Sequence, residues 1–545
     1  MTRALTLAIW CVVAAGVLAA DQRGAAPASG SPAQTPAPAP AGGADSLTLA
    51  QILKPTPDSW PTYNGDYSGR RFSPIAQITP ANVRHLSLAW LYAAPGGFAI
   101  KATPLLVNGI LYFSTQDHAY AVDARNGREL WHYTWPTKGG NHLSNRGVGI
   151  LGDTVYFETP DCRLVALSIK DGSQRWNQEI CSMEHFYYAS AAPIVIKNHI
   201  ITGVSGDDMD NPGYLDARDP ATGALQWRFH TVPQKMDDPG SDTWPTEEQM
   251  KHGGGMTWQP VTYDPDLNLI YLTTGNPQPV MAYKNRKGSN LFTGSIVALN
   301  ADTGKMVWYF QSSPHDTHDW DATETAVIFD GVINGQPRKL IAQASRNGHF
   351  FVLDRTNGKA VVSTEFTRPN WSMGYDAKGQ PIPNPAKEPQ IDGALVTPDQ
   401  NGAANWQPPS FSPQTGLFYV NATRGFSVYY LYDPSDNPAG WGGFDRGGYA
   451  QSMLIALDYK TGKPRWTHPW PAGTAKSGIL TTAGNVLFTS GAGGLEALDA
   501  ATGAPLWHAR LGAPITNGPM TFLLDGQQYV VVAAASTLFT FVMHP

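Results

Sequence analysis

Apolar residues along this chain come in short runs broken by Gly, Pro and Asp, and segments with helical periodicity are nearly absent. One phrase recurs with variation: Ala-x-Asp-x-x-Thr-Gly-x-x-x-Trp. It runs from Ala121 to Trp131, Ala166 to Trp176, Ala217 to Trp227, Ala298 to Trp308, Ala456 to Trp466 and Ala497 to Trp507, with Leu353 to Gly358 a copy that lacks the Trp. The apolar residues end one strand, Asp-x-x-Thr-Gly makes a tight turn whose Gly takes a positive φ, and the Trp lies on the next strand. The glycines at 127, 172, 223, 304, 358, 462 and 503 are spaced 45, 51, 81, 54, 104 and 41 residues apart. A four-stranded blade takes roughly 40–45 residues, so the two long gaps hold a blade plus insertions. Within them Tyr263-Asp-Pro265 and Ser412-Pro-Gln-Thr-Gly416 mark extra hairpins. The start (Trp60 to Trp90) and the end (Gln528 to Val542) are strand-like without the phrase, and their pairing would close a ring. The prediction is all-β: an eight-bladed β-propeller with tryptophan-docking repeats over residues 51–545, an architecture that leaves only short, protected edges.

Composition narrows the class. Charged residues are 15% of the 545, the formal net charge is −6, and there are 55 Gly and 44 Pro. That balance excludes a basic nucleic-acid binder, a coiled coil and a highly charged disordered protein. Met-Thr-Arg followed by the apolar run Ala4 to Ala20 predicts a signal peptide over 1–20 and export to the periplasm. The other reading is a retained membrane anchor, for which the run is short. No later segment offers a comparable span, so no transmembrane domain is expected in the mature chain. Residues 21–50, rich in Ala and Pro, predict a disordered linker. Cys162 and Cys181 remain after cleavage, either as one disulfide or as two buried thiols. The chain has no Cys-x-x-Cys-His, hence no covalently attached c-type haem.

Three motifs mislead. Gly147-Val-Gly149-Ile-Leu-Gly152 fits a dinucleotide fingerprint but leads into a strand, not the helix that pyrophosphate binding needs. His252-Gly-Gly-Gly255 is like an esterase oxyanion loop, yet no Gly-x-Ser-x-Gly elbow exists. His315-x-x-His318 sits among Asp residues, where oxygen chemistry is expected rather than a transition-metal pair.

Other segments are too specific to be blade filler. Trp60-Pro-Thr-Tyr-Asn-Gly-Asp-Tyr-Ser-Gly-Arg-Arg-Phe-Ser-Pro74, Ile78 to Trp90, Asn145-Arg-Gly147, Thr274-Gly-Asn-Pro277, Pro314-His-Asp316 to Asp319-Trp-Asp321, and Ser345-Arg-Asn-Gly348 with Leu353-Asp-Arg355 lie outside the phrase or extend it. In this order they resemble the periplasmic quinoprotein alcohol dehydrogenases, which carry pyrroloquinoline quinone (PQQ) on an eight-bladed propeller. The resemblance implies that Arg146, Ser190, Ser205, Gly206 and Asp207 hold the carboxylates and carbonyls of PQQ. It implies that Trp258 is the flat floor under the ring, and that Arg346 and Asn405 bond near the reactive oxygens. Asp208 and Asn276 would ligate a metal, and Asp319 would be the catalytic base. Asp321, two residues on, resembles the extra aspartate of lanthanide-dependent members, so a lanthanide(III) is expected, with Ca2+ the alternative. A small alcohol is the implied substrate, and a separate cytochrome c the implied electron acceptor. The chain departs from the family at Gly140 and Asn141, where adjacent cysteines often stand, at Lys101 in place of a glutamate, and at Asp208, one methylene shorter than the usual ligand. Lys101 either binds a PQQ carboxylate or marks a divergent site. Two other functions remain open at this level: a non-catalytic scaffold of the cell envelope, and oxidation of sugar or polymer hydroxyls on the same cofactor.

These residue types suit the chemistry on their own terms. A tricarboxylate wants Arg forks and hydroxyl donors, a planar ring wants an aromatic face, and a hard cation wants Asp and Asn oxygens.

Overall fold

The structure of the protein is a computed structural model that describes residues 46–140, 144–206, 209–432, 440–471, 477–491 and 493–544. The expected signal peptide and residues 21–45 of the expected linker lie outside them, as do Asn141, Asp207 and Asp208. The fold is all-β and propeller-like. Among the described residues, eight sheets each have four antiparallel strands, consecutive in the chain in six of them, and one sheet gains a fifth strand, Phe72–Ser73, in parallel. The described helices are short, such as Leu49–Leu53 and Glu247–Met250.

The linker ends earlier than its composition suggests. Leu47 is buried and pairs with Gly152, and Thr48 and Gln51 form a capping box for the Leu49–Leu53 helix. A reciprocal cap and two buried side chains, Leu47 and Ile52, order a segment expected to be free.

The repeated phrase earns its residues by docking one repeat on the next. Trp131 donates its indole N–H to Ile169 O at 3.0 Å, Trp227 to Ala301 O at 3.2 Å and Trp308 to Arg355 O at 3.1 Å. Each of these indoles lies flat against the turn glycine of the following copy. A Cβ on Gly172, Gly304 or Gly358 would stand 2.5–2.6 Å from the Trp Cε3 before it. These glycines also have φ near +70°, so both sterics and backbone demand them. Where the Leu353–Gly358 copy lacks its Trp, Gly462 meets Thr364 and Phe350 instead.

The two ends of the chain pair as expected. Leu86–Ala93 runs antiparallel to Thr537–Met543, from Leu86 opposite Met543 to Ala93 opposite Thr537, and completes the sheet of Met520–Leu524 and Gln527–Ala534. The long gaps also behave as read. Thr262–Asp264 with Leu269–Thr273 and Ser410–Ser412 with Leu417–Arg424 are the extra hairpins. Further insertion residues form two small sheets, Ser372–Tyr375 with Pro381–Pro383 and Ala394–Val396 with Ser427–Leu431 and Gly443–Gly447.

Cys162 and Cys181 form a disulfide, with Cα atoms 4.9 Å apart. No helix of the described residues is long and apolar enough to cross a membrane.

Candidate active site

Nearly every residue singled out for the site lies just before the first strand of a sheet or just after the second. Arg146 precedes Val148–Leu151, and Ser190 precedes Ile194–Ile196. Ser205 follows His199–Gly203, Asn276 follows Leu269–Thr273, and Arg346 follows Gln336–Ala344. In an antiparallel hairpin the start of one strand and the end of its partner share an edge. Topology therefore delivers these side chains to one end of their sheets.

Arg146, Ser190, Ser205 and Arg346 line a cavity of about 310 Å³, and Asn276 lies behind its wall, bonded to the lining residue Asp321. The cavity floor is Trp258, 9% exposed. The Arg146 guanidinium carbon lies 4.4 Å from the Trp258 ring centroid and 5.0 Å from that of Trp406, so the cation sits between two indoles. Arg146 Nη1 donates to Ser190 Oγ at 2.8 Å and to Ser190 O at 3.0 Å, and Ser190 Oγ is 3.1 Å from Ser205 Oγ. Tyr188 and Ser205 exchange backbone hydrogen bonds, which locks the two loops that carry these serines.

The other end of the cavity is acidic. Arg346 forks between two carboxylates: Nη1 donates to Asp321 Oδ2 at 2.7 Å and Nη2 to Asp319 Oδ2 at 3.1 Å. Gln400 Nε2 adds a bond to Asp319 Oδ2 at 2.8 Å, and the Gln400 carbonyl accepts from Arg346 at 2.9 Å. Asp319 has a φ of +67°, a conformation that L side chains rarely adopt. Asp316 Oδ2 accepts the Trp320 N–H at 2.9 Å and ties down the turn that presents Asp319. Asp321 Oδ1 accepts the Asn276 N–H at 2.8 Å. The Asn276 side chain is fully buried, and its Oδ1 has no hydrogen-bond partner. A buried amide oxygen with no donor costs free energy unless something electropositive meets it. On a residue whose backbone N–H bonds Asp321, that oxygen suits a hard cation.

Other expectations fall out as follows. Asn405 lines the cavity, with its side chain tied to Asn401 O and the Trp406 N–H. Lys101 lines it too, and also borders an adjoining chamber of about 320 Å³. Gly206 has a φ of +140°. Gly140 is pressed against Pro160, whose carbonyl oxygen would stand 2.8 Å from any Cβ, so no cysteine fits there without a backbone shift. His315 and His318 both bond backbone carbonyls, Gly288 O and Lys387 O, and burial pulls their pKa values down to about 4 and about 3. They are structural.

The sequence reading missed Gln400, Trp406, Trp441 and Tyr188, all of which face the cavity. Trp406 had a signal, because it directly follows Asn405. Gln400 had none: its role depends on a loop of the longest insertion folding back onto Asp319.

Fold and site together define a propeller enzyme with a cavity for a flat, anionic cofactor and a hard metal ion. The family model described as "Glucose/ethanol/alcohol dehydrogenase, beta-propeller domain", of the PQQ type, matches residues 60–390. A second model, described as outer membrane protein assembly factor BamB, matches residues 450–542. The quinohemoprotein alcohol dehydrogenase of Comamonas testosteroni is 38% identical over 521 residues, 88% of this chain and 72% of that protein. A solved structure of the quinohemoprotein alcohol dehydrogenase ADHIIG from Pseudomonas putida HK5 superposes with a TM-score of 0.86 at 32% identity, covering 92% of this chain and 82% of that one. A europium-containing methanol dehydrogenase superposes with a TM-score of 0.84 at 27% identity, covering 91% and 99%. This chain belongs to the family of PQQ-dependent alcohol dehydrogenases.

Proposed function

We propose that this chain is an exported alcohol dehydrogenase that binds PQQ in the Trp258 cavity and a metal ion beside Asn276. The observation that carries the reading is the Arg346 fork on Asp319 and Asp321 at the end of an indole-floored cavity. The eight sheets are the eight blades of one propeller, with the paired chain ends as its closure.

Arg146, Ser190, Ser205, Gly206, Asp207 and Lys101 hold the carboxylates and carbonyls of the cofactor, over Trp258. Arg346 and Asn405 donate near its reactive edge. Asn276 Oδ1, Asp208, Asp319 and Asp321 hold the ion. When bound, PQQ would supply a hydride acceptor for the alcohol carbon, and the ion would supply a Lewis acid. Asp319 takes the hydroxyl proton. Arg346 and Gln400 aim its carboxylate, and the turn through Asp316 fixes its backbone. Trp406 and Trp441 wall the cavity and limit water. Three carboxylates favour a trivalent lanthanide over Ca2+, and the likeness to a europium-containing enzyme supports the same choice. A small alcohol is the substrate. Electrons leave to a separate cytochrome c, in keeping with the likeness to the 1-butanol dehydrogenase (cytochrome c) of Thauera butanivorans. The apolar run after Arg3 supports export to the periplasm. A scaffold would have no use for a buried, donorless amide oxygen on a residue bonded to Asp321.

The test is to reconstitute purified apoprotein with PQQ and either La3+ or Ca2+, then record the absorption spectrum and dye-linked alcohol oxidation. A cofactor spectrum with activity supports the reading, and the ion giving the higher rate identifies the metal. No PQQ binding with either ion overturns it.

A further inference from the structure

Away from the cavity, two imidazoles and a hydroxyl converge on the sheet that begins at Leu105–Val107. His118 opens its third strand, His118–Asp123, and His132 lies near the end of the fourth, Glu129–Thr134. The register pairs His118 with Thr134 and Tyr120 with His132, so the two histidines share a face as diagonal neighbours. His118 Nδ1 is 2.9 Å from His132 Nε2 and 3.0 Å from Thr134 Oγ1, and Thr134 Oγ1 is 3.3 Å from His132 Nε2. Tyr120 stacks on His132 with centroids 4.6 Å apart and on His118 at 6.0 Å, which limits rotation of both rings. Asp117 Oδ1 lies 3.2 Å from the far nitrogen of His118, Nε2.

We propose that His118, His132 and Thr134 form a binding site for one divalent late transition-metal ion, with Cu2+ the best fit. Metal–imidazole bonds of about 2.0–2.1 Å place two nitrogens 2.9 Å apart only if the angle at the metal is about 90°. A tetrahedral site would spread them to roughly 3.3–3.4 Å. The near-right angle suits tetragonal Cu2+, which also stands at the top of the divalent affinity order. The Thr134 oxygen, 3.0 and 3.3 Å from the two nitrogens, completes one face of such a polyhedron, and water takes the rest. Asp117 supplies the outer carboxylate. Its charge, 3.2 Å from His118 Nε2, favours the tautomer protonated there and so frees the Nδ1 lone pair for the ion. In the metal-free chain one of the two facing nitrogens donates to the other across 2.9 Å; the ion replaces that hydrogen bond, each ring keeps one proton on its far nitrogen, and two neutral imidazoles bind with no net proton release.

The test uses the full chain loaded with PQQ and Ca2+, so that the central cavity is filled before Cu2+ is added. Electron paramagnetic resonance at one equivalent of Cu2+ should show a tetragonal signal with two nitrogen donors. His132→Gln should abolish that signal. Asp117→Asn keeps all three donors and should weaken binding by about 10-fold. Dye-linked alcohol oxidation should be unchanged in both variants. Absence of the two-nitrogen signal in the wild-type chain, or its persistence in a His118→Gln/His132→Gln double variant, overturns the site. Unchanged Cu2+ affinity in Asp117→Asn overturns the orienting role of the carboxylate.

Discussion

Arg346 Nη1 and Asp321 Oδ2 lie 2.7 Å apart, with no more than a tenth of either side chain exposed. The same guanidinium reaches Asp319 at 3.1 Å. One buried cation therefore serves two carboxylates, and Gln400 also bonds one of them.

Removing that cation should be costly. Arg346→Ala takes the guanidinium from two buried carboxylates, and breaking a buried pair typically costs about 3–5 kcal/mol. The loss should appear as a lowered denaturation midpoint in the metal-free protein, and La3+ should restore part of it by replacing the missing positive charge. A midpoint equal to wild type would show that the pair contributes nothing.

Asp321→Ala separates the two ions. If Asp321 is a ligand, the La3+-dependent rate should fall far more than the Ca2+-dependent rate in PQQ-reconstituted enzyme, because the trivalent ion relies more on the third carboxylate. Equal losses with both ions would assign Asp321 to holding Arg346 and the Asn276 N–H alone.

Trp258→Ala removes the floor of the cavity. Loss of a large aromatic contact surface should weaken PQQ binding on the order of 2 kcal/mol, measured by titration calorimetry of apoprotein in excess La3+. Wild-type affinity in this variant would move the cofactor elsewhere.

Gly358 and Gly335 test what the repeat demands. Both have φ near +75°, but a Cβ on Gly358 meets Trp308 Cε3 at 2.5 Å, whereas nothing lies within 4 Å of one on Gly335. Gly335→Ala should cost about 1–2 kcal/mol from the backbone alone. Gly358→Ala should cost about 2–5 kcal/mol because overpacking against the indole is added. Urea denaturation of both variants gives the comparison, and equal losses would mean that the indole moves aside freely.

Glu324 predicts a pH dependence. Burial raises its pKa from 4.5 to about 8, against the opposing pull of Arg346, and neither carboxylate oxygen has a side-chain donor. A carboxyl whose folded-state pKa is raised binds its proton more tightly when folded, so stability falls as pH rises from about 4.5 to about 8. Glu324→Gln, neutral and of similar shape, should flatten that decline and raise the melting temperature at pH 9 relative to wild type. Parallel profiles for the two proteins would remove Glu324 as the cause.

Local chemistry made much of this protein legible. The turn glycines need positive φ and the adjacent Asp needs a short loop to cap, so the Asp-x-x-Thr-Gly signal reports strand ends by itself. The Trp ten positions after the Ala is legible for a related reason, since its partner is the equivalent turn one repeat later. Repetition turns a long-range contact into a pattern visible along the chain. Asp319, Asp321 and Arg346 stood out because unusual polar residues gather at strand ends. Tertiary structure alone decided how they pair. Asp321 and Arg346 are 25 residues apart, and only the edge shared by their sheet brings guanidinium to carboxylate. Gln400 and Trp406 arrive from an insertion with no period, and the placement of Arg146 between two indoles depends on Trp406 being there. The cysteines could be counted from the sequence, but their pairing required the hairpin of Arg163–Ser168 and Gln174–Glu179 to bring Cys162 and Cys181 together at its open end. Contacts made once, between segments with no repeat to echo them, leave no local trace because their energy comes from a neighbour that the chain supplies only by folding.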